Sequence, residues 1–146
     1  MRLILVMFFY LVLFSQVRAT YIFLPMEHNK QSDHLKAYGI TYWVLNSGVE
    51  AYWLLNYRGG SFAFPYTKLF EKECKVRGVT YEVITDSEWL EIRSRISDPE
   101  INQEVIKLEK APKIAVYTPD FNPMGMRIQP WDDAVTLVLT YAEIPF

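Results

Sequence analysis

The chain has 146 residues, of which 51% are hydrophobic and 22% charged, and its formal net charge is −2. A chain this apolar can bury a core and does not belong to the disordered class, and a near-balanced charge without a basic run argues against nucleic acid or an anionic membrane as partner. A single cysteine excludes an internal disulfide, and with only two histidines beside it no metal site is predicted.

The first nineteen residues have the pattern of a signal peptide. Arg2 provides a positive start, residues 3–14 are an unbroken apolar run, and residues 17–19 precede a cleavage point before Thr20. The run is shorter than the roughly 20 residues of a membrane span. We therefore predict an exported protein, periplasmic or extracellular, without a stable membrane anchor. The alternative interpretation of this segment is a buried first strand or an uncleaved amphipathic anchor.

From residue 20 to residue 146, strand and helix patterns alternate as in one α/β domain. β-branched and aromatic runs predict strands at 21–26, 49–56, 79–84 and 113–117. Helices are predicted between Asp33 and Gly48, at 66–77, between 86 and 97, and at 131–142. Residues 100–113 fit either a short helix or a loop. This alternation predicts a flavodoxin-like parallel sheet with helices on both faces.

Apolar spacing also predicts which helix faces are buried. The expected inward-facing residues are Leu35, Tyr38, Tyr42 and Leu45 in the first helix, Leu69, Phe70 and Cys74 in the second, and Ala134, Leu137, Val138 and Tyr141 in the last. The closing residues 143–146 have the pattern that opens a further strand. We therefore expect the natural chain to continue past Phe146, so that its own C-terminal part is a partner of this domain.

The segment Arg58-Gly59-Gly60-Ser61 follows a buried strand and is the main candidate site. Two glycines allow positive φ angles that gather backbone N–H groups around an anion, and arginine adds a bidentate donor. In a parallel sheet this turn lies at the carboxyl edge, together with His34. We predict that a small anionic or amide-bearing ligand binds there. The alternative is a tight strand–helix turn in which the serine only caps the helix.

The glycine turn lacks the signatures of nucleotide sites. It has no Gly-Lys-Ser/Thr sequence and no third glycine at the fingerprint spacing. No cofactor is therefore predicted. The turn predicts a location for a ligand, and no catalytic residue can be assigned from it.

Three weaker constellations have structural interpretations that we favour. Asp132-Asp133 would offset the dipole of the last helix rather than bind metal. Ser32-Asp33-His34 has the residue types of a triad, but adjacent side chains diverge, which favours helix capping. Cys74 lies in the middle of a helix, which favours a buried thiol over a nucleophile.

Several long blocks of the chain resemble a known protein family. The blocks are 31–39 (QSDHLKAYG), 53–62 (WLLNYRGGSF), 71–74 (EKEC), 105–117 (VIKLEKAPKIAVY) and 130–137 (PWDDAVTL). Over nearly all of the mature chain, the sequence resembles the front part of the bacterial proteins labelled asparagine synthetase B. The resemblance implies a class I glutamine amidotransferase-like α/β fold that extends past this chain.

The resemblance also implies an activity, which is amide transfer from glutamine. Met1 is followed by Arg2 instead of the N-terminal cysteine nucleophile, and no Ser-Gly-Gly-Xaa-Asp loop for ATP is present. Any nucleophile of the class I type would lie on a later strand, in the missing C-terminal part. The catalytic residues are therefore unknown from this sequence, and a non-catalytic interaction domain is the further alternative.

Overall fold

The computed structural model describes residues 19–117, 124–126 and 133–146. Residues 1–18 of the predicted leader, which ends at residue 19, lie outside these ranges, as do Trp131 and Asp132 of the predicted last helix. In chain order the elements are β1 (Ala19–Leu24), α1 (His34–Asn46), β2 (Ala51–Leu55), β3 (Phe62–Pro65), α2 (Lys68–Val76), β4 (Glu82–Thr85), α3 (Asp86–Ile96), β5 (Glu104–Leu108) and α4 (Ala134–Ala142). None of the helices in the described ranges has both the length and the apolar character that crossing a bilayer requires.

The five strands form one sheet in the order β4-β1-β3-β2-β5, and every neighbouring pair is antiparallel. The mixed α/β class is confirmed, but the predicted parallel, flavodoxin-like sheet is wrong. The topology differs because of β3, whose residues belong to none of the predicted strands and helices. After the glycine turn the chain returns as a hairpin and inserts β3 between β1 and β2.

The insertion of β3 leaves β1 and β2 running in the same direction. Both are antiparallel to β3, so their C-terminal ends share one edge of the sheet, here called the carboxyl edge. β4 and β5 are antiparallel to β1 and β2, and they begin at that edge. The predicted location of the glycine turn, at the end of β2 and on the same edge as the end of β1, therefore holds in a sheet of different topology.

Alternating side chains of the strands build two apolar layers, one on each face of the sheet. Ile22, Leu24 and Phe64 point to the face covered by α1 and α2. Phe23 and Leu54 point to the opposite face, where Trp89 of α3 packs. The rings of Tyr21 and Trp89 stack with centroids 4.9 Å apart. The prediction of helices on both faces of the sheet is confirmed, since α1 and α2 cover one face and α3 covers the other.

The region after α3 also differs from the prediction. The sequence predicts a short helix or a loop for residues 100–113. Instead, residues 104–108 form β5, which pairs with β2 from Ala51↔Leu108 to Leu55↔Glu104. Residues 113–117, predicted as the fourth strand, have no regular structure. The apolar run at Lys113–Tyr117 lacks a neighbouring strand to pair with in the described part, whereas β5 lies beside β2.

Helix ends follow the predicted capping chemistry. The Asp33 side chain accepts from the Lys36 backbone N–H, and Gly48 adopts a φ of 81° beyond the end of α1. Thr85 caps α3 in a capping box with Glu88. Capping depends on contacts within four residues, which is why the sequence indicates it well.

The buried faces of α1 and α4 differ from the predicted ones, although Leu45 of α1 is buried as predicted. In α1 the buried residues are Ala37, Gly39, Ile40, Thr41, Val44 and Leu45, whereas Leu35 and Tyr38 are exposed. In α4 only Thr136 and Ala142 are buried, and Leu137, Val138 and Tyr141 face outward. Because α4 packs on α1 instead of on the sheet, only a narrow strip of it is covered.

Polar contacts hold the C-terminal end of α4 against the rest of the domain. The Tyr141 hydroxyl donates to Asp33, and Glu143 accepts from Lys36 at 2.7 Å. Gly39 lets the helices approach closely, since a Cβ there would lie 1.8 Å from the Ala142 carbonyl oxygen. The register of α4 on α1 is thus fixed by backbone proximity and charge rather than by a broad apolar face.

Candidate functional site

The glycine turn, residues 56–61, is a hairpin loop that joins β2 to β3. Four of its residues have positive φ: Asn56 at 58°, Arg58 at 45°, Gly59 at 82° and Gly60 at 83°. The Tyr57 carbonyl accepts from the backbone N–H groups of both Gly60 and Ser61. These two donors, which the predicted anion nest would use, are therefore already bonded within the turn.

The Arg58 side chain bridges two carboxylates. Its Nε donates to Glu27 at 2.9 Å, and its Nη1 and Nη2 donate to the two oxygens of Glu82 at 2.9 and 2.7 Å. The guanidinium also lies 4.9 Å from the centroid of the Phe23 ring. The hydrogen bonds that Arg58 donates to Glu82, with a further bond to Glu27, raise the pKa of Arg58 above its ordinary value against the opposing effect of partial burial.

Close packing explains why glycine and serine stand at positions 59 and 61 of the turn. A Cβ on Gly59 would lie 2.4 Å from the Met26 carbonyl oxygen, so this position accepts no side chain without displacement of the backbone. Ser61 is fully buried, and its hydroxyl donates to the Arg58 carbonyl at 2.9 Å. The serine thus closes the turn. It does not cap a helix, so the alternative interpretation is wrong on this point.

His34 meets the same junction from the start of α1. Its Nε2 donates to the Met26 carbonyl at 3.1 Å, and Met26 in turn donates its backbone N–H to the Arg58 carbonyl at 3.1 Å. The ring of His28 lies 6.3 Å from the ring of His34. Three of the five predicted site residues, Arg58, Gly59 and His34, therefore meet at Met26, and Gly60 and Ser61 follow in the same turn. This junction holds the end of β1 against the glycine turn.

An open pocket of about 450 Å³ lies at the carboxyl edge, between the end of α3 and the start of β5. Ile96 and Val105 supply apolar walls, and the loop 97–103 forms the rim. That loop is tied to the glycine turn because Asn56 Nδ2 donates to the Asn102 carbonyl at 3.0 Å and Gln103 Nε2 donates to the Asn56 carbonyl at 3.2 Å. The pocket and the turn are thus neighbouring parts of one edge.

The polar groups of this pocket are of both signs. Arg93 places a guanidinium at the wall, where it also lies 5.9 Å from the Trp89 ring, and Gln103 contributes a side-chain amide. Asp98 and Glu104 add two carboxylates. The volume lies in the range of small-molecule pockets, which pair apolar walls with a few polar groups.

Sequence reasoning missed this pocket. The sequence predicts that a helix ends at residue 97, but a ligand wall there depends on β5 lying beside β2. The hairpin signal that would have helped is the glycine-containing loop between the apolar runs 51–55 and 62–65. It predicts an antiparallel pair and so brings further strand edges into reach.

Cys74 is a buried thiol of the core, as predicted. It is fully covered within the layer under α1 and α2, and burial raises the pKa of Cys74 to about 12. We expect a thiol reagent such as a disulfide of thionitrobenzoate to leave the native chain unmodified at pH 8 and to titrate one thiol per chain in denaturant. Fast reaction of the native chain would show that the thiolate is accessible and contradict the buried assignment.

In the remaining constellations the described aspartates, Asp33 and Asp133, cap helices. Asp133 caps α4 by accepting from the Val135 N–H at 3.1 Å, while Asp132 lies outside the described residues. Ser32 donates to the Gly78 carbonyl, Asp33 caps α1 and His34 bonds to Met26. Since these three side chains have different partners, they form no triad, in agreement with the structural interpretation.

Within the described ranges, no three side chains of the His, Cys, Asp and Glu types are grouped as a metal site. No family model, curated protein or solved structure matches this chain.

Proposed function

We propose that this chain is an exported small-molecule-binding domain whose ligand, bearing an anionic or an amide group, occupies the pocket between the end of α3 and the start of β5. The observation that carries the proposal is the pocket of about 450 Å³ at the carboxyl edge, beside the glycine turn. Export rests on the leader pattern of residues 1–19 and stays a prediction.

The chemistry of the lining supports this ligand class. The Arg93 guanidinium offers a planar pair of N–H donors, which match a carboxylate or a phosphate, and it has no ion-pair partner within the described residues. The carboxylates of Asp98 and Glu104 can accept from an amide N–H. Ile96 and Val105 provide apolar contact for the body of the ligand.

In this proposal the residues of the glycine turn hold the rim of the pocket in place and make no contact with the charged group of the ligand. Arg58 already has two carboxylate partners, and the carboxylates outnumber the guanidinium in that cluster. An anion there would have to displace Glu27 or Glu82. Asn56 connects the rigid turn to the rim of the pocket through Asn102 and Gln103.

Amide transfer, the activity implied by the family resemblance, has less support among the described residues. That reaction needs a reactive thiolate, and the chain's one cysteine is buried with a pKa raised to about 12. A binding function needs no nucleophile. We therefore propose binding and not catalysis for these 146 residues.

The proposal is tested with two matched arginines of α3. The full chain is screened by thermal shift against amino acids, sugars and phosphates, and affinities of the hits are measured by titration calorimetry. Arg93→Gln is expected to weaken an anionic hit about tenfold or more, since a charged hydrogen bond contributes about 1.5–3 kcal/mol. Arg95→Gln is the control, because Arg95 pairs with Glu91 at 3.0 Å on the exposed side of the same helix.

Equal affinities in the two variants would contradict the assignment of the pocket. A screen without any hit would contradict the binding function itself. If Arg58→Ala, measured well below its own melting temperature, weakened the hits while Arg93→Gln did not, the ligand would lie on the glycine turn as the sequence predicts.

A further inference from the structure

The outer edge of β5 has unused main-chain hydrogen-bonding groups. β5 is the last strand of the sheet order, and within the described ranges it pairs with β2 alone. The hydrogen bonds of β2 show which residues of β5 face outward. In β2, Leu54 donates its N–H to the Ser61 carbonyl on the β3 side. Because inward and outward groups alternate along a strand, Trp53 and Leu55 bond toward β5.

The alternation fixes which residues of β5 face outward. Trp53 pairs with Ile106 and Leu55 with Glu104, so Ile106 and Glu104 bond to β2. The N–H and C=O groups of Val105 and Lys107 therefore point away from the sheet. No backbone hydrogen bond of the described loops reaches either residue. Among the residues that the structure describes, four main-chain groups thus have no partner and can pair with an added strand.

The other edge of the sheet is less suited to such pairing. β4 has four residues, and its last residue, Thr85, caps α3 through bonds to Glu88. The side-chain carboxylate of its first residue, Glu82, accepts hydrogen bonds from Arg58. β5 has five residues and no comparable engagement of its ends with a helix cap.

The charge of the β5 edge is acidic. From residue 98 to residue 110 the chain has four acidic and two basic residues, and Glu50 of the neighbouring segment lies 2.6 Å from Lys107. A lysine on an edge strand usually discourages strand addition, but the ammonium of Lys107 is paired with Glu50. Lys107 also lies 3.8 Å from Glu109, so this one ammonium is shared by two carboxylates, and Glu104 has no ion-pair partner among the described residues.

We propose that β5 accepts an extended, basic peptide segment as a sixth strand, antiparallel or parallel, with main-chain bonds to Val105 and Lys107. The open edge provides the backbone recognition, and the carboxylates around it select lysine or arginine side chains in the partner. A second copy of this chain fits less well, because two β5 edges would bring net negative charge against net negative charge.

The experiment uses the full chain and synthetic peptides. Fluorescence anisotropy measures binding of an acetylated decapeptide that alternates lysine and threonine, with a glutamate–threonine decapeptide of the same length as control. We expect saturable binding of the basic peptide and at least tenfold weaker binding of the acidic one. Absence of binding by the basic peptide, or equal binding of both, would overturn the proposal.

Two variants locate the binding. Val105→Pro removes one outward N–H while leaving the ladder to β2 intact, as proline is tolerated where an edge N–H faces solvent. It is expected to weaken the basic peptide about tenfold, whereas Val105→Thr keeps the N–H and the affinity. The Glu104→Gln/Glu109→Gln variant changes no backbone group and is expected to weaken the same peptide, more at low salt than at high salt.

Folding of each variant is checked by circular dichroism, and the charge variant keeps the test decisive if the proline variant does not fold. Unchanged affinity in the charge variant and in a folded Val105→Pro variant would overturn the proposal. So would a native chain that elutes as a dimer and becomes a monomer on Val105→Pro, because the edge would then belong to a second copy.

Discussion

Gly59→Ala is expected to lower the free energy of unfolding by about 4 kcal/mol, which combines the strain of a left-handed residue with overpacking. The φ of Gly59 is 82°, and its added Cβ would lie 2.4 Å from the Met26 carbonyl oxygen and 2.5 Å from the carbonyl carbon. Neither atom belongs to a flexible side chain, so the backbone between β1 and α1 has to move. Chemical denaturation of the full chain measures the effect.

Gly48→Ala is the matched control for the loss of close packing. Gly48 has nearly the same φ, 81°, but nothing lies within 4 Å of its added Cβ. Its substitution is expected to cost about 1 kcal/mol, which is the strain alone. If the two variants lose equal stability, the contact between the turn and Met26 contributes nothing, and the junction described here is not a packing constraint.

Arg58→Leu is expected to lower the free energy of unfolding by about 2 kcal/mol. The substitution leaves Glu27 and Glu82 close together without their shared cation, and it removes the contact with the Phe23 ring. A fully buried pair broken in this way costs about 3–5 kcal/mol, and the expected value is smaller because all three side chains are partly exposed to solvent. The measurement is again denaturant unfolding, at low and at moderate salt.

Glu82→Gln in the Arg58→Leu background is expected to restore part of the lost stability, since it removes one of the two unpaired charges. Arg95→Leu provides the comparison with an exposed pair, because Arg95 and Glu91 lie at i and i+4 on the outer side of α3, and it is expected to cost a few tenths of a kcal/mol. A loss on Arg58→Leu no larger than this, with no rescue by Glu82→Gln, would show that Arg58 is free to serve a ligand.

These two predictions give the glycine turn a role different from the one its sequence suggests. Two glycines beside an arginine are typical of an anion site, and the positive φ angles of Gly59 and Gly60 are indeed present. The donors, however, have partners within the chain: Tyr57 for the backbone and two glutamates for the side chain. Those glutamates lie 31 and 24 residues away in sequence, so no local pattern indicates them.

The shared edge at the ends of β1 and β2 could be predicted from the sequence even though the predicted topology is wrong. β1 and β2 were recognised from their apolar runs and were expected to run in the same direction, and they do so on either side of β3. The residues at their ends therefore share an edge. The pocket on that edge was not accessible, because it requires the loop after α3 to meet the turn through Asn56.

The sequence by itself determined the features whose physics is local. Asp33 caps α1, Gly48 follows it with a positive φ, and Cys74 falls on a buried helix face, because each depends on propensities and spacings within a few residues. Only the tertiary structure decided the order of the strands, the insertion of β3, the pairing of β5 with β2 and the partners of Arg58. Those features depend on contacts between distant segments, whose free energy is gained only when the whole sheet assembles.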